Sequence, residues 1–193
     1  MLVLVTGLAL FLVMHLVPTQ PELRQGLIDR FGPAAYKAVF ALVSLAGLAL
    51  IVIGYGKMQV MAGKNPEIWT PPHGLRHLSL LLMVPAMVLL AAAYIPSRIR
   101  DQVKHPMLLA VKLWAVAHLL ANGDLASIVL FGALLAYAVI DLISVKRRGA
   151  LGPLGAAKGT VGGDITAVVV GLALYAALLL GGHKWLIGVA PIA

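Results

Sequence analysis

Six stretches of this chain are too apolar to face water: residues 2–17, 35–55, 75–94, 106–120, 125–145 and 165–187. About 20 predominantly apolar residues in a helix cross the hydrocarbon core of a bilayer. The runs therefore predict an all-α fold, a polytopic membrane helical bundle of about six transmembrane helices, forming one domain over residues 1–193. The first and fourth runs are short, and either just span or are shielded by their neighbours. Composition agrees: of 193 residues 61% are hydrophobic and 11% charged, with a mean hydropathy of +0.98, which excludes an ordinary soluble domain.

The net charge of +8 would elsewhere suggest nucleic acid, but here the basic residues lie between apolar runs, so no nucleic-acid partner is expected; the bilayer is the partner. Arg24, Arg30, Lys37, Arg98, Arg100, Lys104, Lys146, Arg147, Arg148 and Lys158 flank the runs on one side, against Lys57, Lys64, Arg76 and Lys184 on the other. The positive-inside rule then puts loops 18–34, 97–104 and 146–163 in the cytoplasm and both termini outside, as expected for a multi-pass protein of the inner membrane. Met1–Met14 has neither a basic leader nor a small-x-small cleavage site, so it reads as a retained helix rather than a signal peptide.

Ala121-Asn122-Gly123-Asp124 leaves room only for a tight turn, which makes the fourth and fifth runs an antiparallel hairpin, with Asn122 or Asp124 as helix cap. Asp164 is the expected cap of the last helix. The Gly-rich segment 149–163 lacks the spacing of a phosphate loop and reads as a flexible connection.

Ionisable groups inside a bilayer are costly and mark sites by default. His15, His77, His105, His118, Lys112 and Asp141 qualify. With no cysteine in the chain, thiolate ligands are excluded and histidine is the only strong nitrogen ligand for a metal. On the fourth run Met107, Val111, Trp114, His118 and Asn122 share one helical face, and His105 lies roughly 20 Å earlier along the axis. Trp114 one turn before His118 combines an aromatic wall with a nitrogen donor, as a flat apolar cofactor would use; the same stripe also suits plain packing. Folding the hairpin brings Asp141 level with Lys104 and His105, either as an ion pair that fixes register or as a carboxylate orienting His105. His73 and His77 share a face at the start of the third run. The topology pairs His77 with His118 at one membrane face and His15 with His105 at the other.

The residues Met14-His15-Leu16-Val17-Pro18, Arg30-Phe31-Gly32 with Tyr36, Phe40-Ala41-Leu42-Val43-Ser44-Leu45, and His105-Pro106 through Trp114, His118 and Asn122-Gly123-Asp124 resemble the NnrU family of integral membrane proteins. Bacterial members are associated with denitrification and nitric oxide metabolism. The same domain occurs in 15-cis-zeta-carotene isomerase of carotenoid synthesis, which uses haem b. The resemblance implies haem b as cofactor, with His15 and His118 as metal ligands and His77 and His105 as further histidines of the site. Trp114 would pack beside the macrocycle, and Lys112 would neutralise propionates. It also implies either cis-trans isomerisation of a hydrophobic small molecule or, alternatively, a non-catalytic accessory role in the expression or assembly of nitrogen-oxide reductases. A broader similarity to isoprenylcysteine carboxyl methyltransferase-like enzymes rests on Lys104-His105-Pro106 alone and ranks lower.

Overall fold

A computed structural model describes residues 1–191. Every apolar run is helical: α1 (Leu2–Leu16), α2 (Pro21–Phe31), α3 (Pro33–Val60), α4 (His73–Ala92), α5 (Arg98–Val103), α6 (Pro106–Ala121), α7 (Leu125–Arg148), α8 (Val161–Ala177) and α9 (His183–Ile187). The starts and stops have local causes. Proline occupies the first turn of α2, α3 and α6, where its missing N–H is not needed. Asp124 and Thr160 cap α7 and α8 by accepting the Ser127 and Gly163 amides. Gly149, in the left-handed region at φ 58°, ends α7.

The six expected apolar helices are all present, the fourth being short. Five helical segments are long and apolar enough to cross a membrane: Leu2–Thr19, Pro33–Val60, His73–Ala92, Leu125–Arg148 and Val161–Ile187. The sixth, α6, has 16 residues and is about 24 Å long, short of the roughly 30 Å hydrocarbon core. Two short helices, α2 and α5, occupy segments that hydropathy alone leaves as connections. The last span is not one helix. A five-residue π turn over Leu178–Gly182, with Gly181 at φ 133°, separates α8 from α9.

The spans pack as a row. α3 lies on α1, α1 on α7, α7 on α6, α6 on α4 and α4 on α8. Leu4, Leu8, Ile51, Tyr55, Met58, Ala115, Ala126, Leu130 and Phe131 form the main core of α1, α3, α6 and α7, and Ala91, Ala92 and Ala167 a smaller one between α4 and α8. Large apolar side chains such as Leu42, Leu45, Ile53, Val169 and Leu172 point outward, as lipid contact requires. No residue of α6 is exposed, so the short helix is screened by its neighbours.

Because lipid is as apolar as leucine, helices in a membrane associate by close backbone packing rather than by hydrophobic burial. Glycines make this possible between α1 and α3. A Cβ on Gly7 would lie 2.6 Å from the Ile51 nitrogen, and one on Gly47 2.8 Å from the Phe11 nitrogen.

At the basic end the Gly-rich segment is less free than expected. Arg100, 9% exposed, donates to the Ala157 carbonyl and to Asp101. Asp101 accepts the Gly159 amide at 2.8 Å, and Thr160 N–H donates to the Pro96 carbonyl. Asp164 does not cap α8; it accepts Arg98 Nε at 2.6 Å and the Ile99 amide at 3.1 Å, so it joins α5 to α8. The Gly159 amide, followed by the Arg100 guanidinium, holds the Asp101 carboxyl below the usual carboxylate range. Replacing Asp101 with alanine is expected to raise hydrogen exchange of the Gly159 amide several-fold with little change in melting temperature. Unchanged exchange would show that the clamp does not hold the segment.

Candidate functional site

The hairpin of α6 and α7 sets the geometry around His118. Trp114 and His118 lie one turn apart on α6, and Phe131 of α7 closes against both. The Phe131 ring centre is 4.9 Å from Trp114 and 4.4 Å from His118, the latter pair stacked at 30°. His118 Nδ1 contacts the Trp114 carbonyl oxygen at 2.8 Å. A carbonyl oxygen brings no proton, so Nδ1 carries the hydrogen and Nε2 keeps its lone pair. The result is a half-buried imidazole, fixed in orientation by one hydrogen bond and two aromatic walls, with one nitrogen free to bind a Lewis acid.

The histidine that approaches His118 is His183, which hydropathy hides inside a continuous apolar run. Their ring centres are 6.3 Å apart and the planes 22° from parallel. The expected pairing of His118 with His77 is not what the structure has. His73 and His77 are both exposed at the start of α4, and among the described residues neither makes a side-chain hydrogen bond. The only sequence cue to His183 is the Gly181-Gly182 pair before it.

His15 lies in the last turn of α1. Its ring stacks on Phe11 at 3.9 Å and meets Phe40 and Tyr137 at 5.1 and 5.7 Å, with Nδ1 on the Phe11 carbonyl. Tyr137 and Phe131 are six residues apart on α7, about 9 Å of helix, so His15 and His118 are not brought together. Asp141 makes no direct contact with His15 or His105 among the described residues. Its direct partners are Tyr137 OH at 3.2 Å and Arg148 at 3.7 Å, neither of which is the expected Lys104 or His105. Burial, followed by Lys146, Lys104 and Arg148, holds His105 below the usual imidazole range against the pull of Asp141. Lys112 lies on α6 about 120° around the axis from His118, off the Trp114 face, and among the described residues it has no ion-pair partner.

Beyond the α6–α7 turn, segment 61–72 folds over Asp124. The carboxylate accepts Ser127 N–H and Oγ–H at 3.0 and 2.6 Å, Asn65 Nδ2 at 2.7 Å and Gln59 Nε2 at 3.2 Å. Tyr55 OH meets Ser127 Oγ at 2.9 Å, which extends the network into the core. Burial opposes ionisation of Asp124, but the Ser127, Asn65 and Gln59 bonds outweigh it and lower its pKa. A cavity of about 580 Å³ opens beside this network, lined by Gln59, Asn65, Arg76 and Asp124 among others. A second, of about 300 Å³, lies between Pro18, Arg24, Tyr36, Lys37 and Phe40. Neither reaches His118.

A family model described as NnrU protein matches residues 3–191. No curated protein and no solved structure matches.

Proposed function

The chain belongs to the NnrU family, and from that premise we propose that it is a haem b-binding protein of the inner membrane in which His118 holds the iron. The observation that carries this reading is the state of His118: Nδ1 engaged by a backbone carbonyl, Nε2 without a hydrogen-bond partner among the described residues, and the rings of Trp114 and Phe131 packed together beside it. Such an outer hydrogen bond fixes tautomer and orientation of a metal-ligating histidine and raises its basicity. The donor chemistry fits haem: a nitrogen ligand in apolar, aromatic surroundings, with no thiolate in competition. When bound, haem supplies one-electron and ligand-exchange chemistry. The protein's part is to orient the imidazole and to exclude water with Phe131 and Trp114; a hydrophobic small molecule such as a polyene would be the substrate. Isomerisation of such a molecule and a role in nitric oxide metabolism are the two activities consistent with this site. The excess of basic residues around the 97–104 and 146–163 loops favours their placement in the cytoplasm.

The test is spectroscopic. Protein purified in mild detergent from haem-replete cells is expected to show a Soret band that His118→Ala abolishes. A colourless, folded wild-type protein would overturn the reading.

A second reading, a non-catalytic accessory protein for nitrogen-oxide reductases, is favoured by one observation: neither cavity reaches His118. On that reading His118→Ala leaves reductase assembly in cells intact, whereas deleting the whole chain impairs it.

A further inference from the structure

We propose that the cavity between the end of α1, α2 and the first turns of α3 holds the phosphate headgroup of an anionic phospholipid. This goes beyond the haem reading and is independent of it, because the cavity does not reach His118.

The lining divides by chemistry. Around this space of about 300 Å³, Arg24 and Lys37 are cations, Tyr36 carries a hydroxyl, and Pro18 and Phe40 are apolar. Neither cation has an acidic partner: among the described residues the ion pairs are Arg98 with Asp164, Arg100 with Asp101 and Arg148 with Asp141. Asp29, a carboxylate of α2, accepts from Gln25 instead. The Arg24 guanidinium carbon lies 5.7 Å from the centre of the Tyr36 ring, and this cation–π contact keeps the charge beside the cavity. The Tyr36 hydroxyl oxygen is buried and has no hydrogen-bond partner among the described residues. A buried hydroxyl left unpaired costs free energy, and a phosphate oxygen is a strong acceptor for it. Two cations without counter-charges and one unpaired donor around a small space select an anion rich in acceptor oxygens.

The surroundings make that anion part of a lipid. Tyr36 and Phe40 are one turn apart on the same face of α3, a helix long and apolar enough to cross the membrane. Polar lining therefore lies toward the start of the span and apolar lining deeper, the order of parts in an amphiphile. On α2, Leu23, Leu27 and Phe31 follow one another at four-residue spacing, and Leu23 and Phe31 are exposed. With Arg24 and Arg30 beside them, this is the pattern of a helix lying in the bilayer interface. The same end of the bundle carries the basic excess that favours the cytoplasmic side, where anionic lipids give the leaflet its negative surface potential. The acyl chains stay in the bilayer, along the exterior of α3, where Val39 and Leu42 are exposed.

The test uses the full-length protein as purified in mild detergent, mixed with equimolar phosphatidylglycerol and phosphatidylcholine. Native mass spectrometry then reads which lipid stays bound. Both lipids carry a phosphodiester, but only phosphatidylglycerol has a net negative charge. Wild type is expected to retain a single phosphatidylglycerol with a preference of at least about tenfold, as two cations at a membrane surface supply. Arg24→Gln combined with Lys37→Gln is expected to abolish the preference, and Tyr36→Phe to lower it several-fold; thermal unfolding verifies that both variants are folded. Arg147→Gln combined with Lys158→Gln removes the same charge from the same end, away from the cavity, and is expected to keep the preference. An unselective wild type, or a preference that survives in the Arg24 and Lys37 double variant, would overturn the proposal. Equal loss in both double variants would reduce it to bulk surface charge, and displacement of the lipid by millimolar inorganic phosphate would reassign the cavity to a soluble anion; each overturns it as well. The readout needs no haem, so failure here leaves the haem reading untouched.

Discussion

Replacing Gly54 with leucine is expected to separate α1 from α3 and to destabilise the protein by at least about 3 kcal/mol, the upper end of what overpacking costs in a core that can adjust. Here the core cannot adjust. The nearest atoms to a Cβ on Gly54 are backbone atoms of α1, the Leu4 nitrogen and Leu4 Cα, and Leu4 is itself fully buried. Relief therefore requires moving α1 and α3 apart as whole helices, which also opens the contacts at Gly7 and Gly47 that depend on the same close approach. Gly56→Leu is the control. It lies on the same helix two residues later with nothing within 4 Å of its Cβ position, and is expected to behave like wild type. Thermal unfolding in detergent, with elution profile as a check on folding, measures both; equal stability of the Gly54 and Gly56 variants would disprove the contact.

Asp124→Ala should be nearly as damaging. It removes the cap of α7 and strands the donors of Ser127, Asn65 and Gln59. A lost cap costs about 1 kcal/mol, and a hydrogen bond to a charged group contributes about 1.5–3. The donors are partly hydrated and not additive, so a total of about 3 kcal/mol is expected. The same network predicts a pH dependence. Folding lowers the proton affinity of Asp124, so its carboxylate stabilises the fold fully above the unfolded pKa of about 3.9, and that contribution is lost as pH falls through the still lower folded value. Between neutral pH and pH 3, wild type should lose more stability than Asp124→Asn. Parallel curves would show that the ionised form contributes nothing.

What the sequence made legible follows from which physics is local. Hydropathy located every span, because crossing a bilayer is a matter of each segment's own composition; the tight turn at 121–124 and the Asp124 cap were equally readable, since both depend on a few adjacent residues. The cap of α8 is not legible in the sequence, because Thr160 and Asp164 are both suitable residue types, and only the position of Arg98, 66 residues earlier in the chain, draws Asp164 away. The surroundings of His118 were half legible. Trp114 lies one turn away on the same helix, whereas Phe131 and His183 arrive by tertiary packing. His183 was concealed for a further reason: a π turn inside an apolar run leaves no trace in hydropathy beyond two glycines. His15 and His118 are joined by likeness to a family, yet they pack on different turns of α7, against Tyr137 and Phe131.

The screening of α6 bears on how the protein is made. A helix of 16 residues that carries Lys112 in its middle is a poor passenger for an insertion machine that releases segments one at a time into lipid. Its flanking partners straddle it in time as well as in space, α4 being synthesised before it and α7 after. α6 can therefore be received by α4 at the mouth of the insertase and is enclosed only once α7 has emerged.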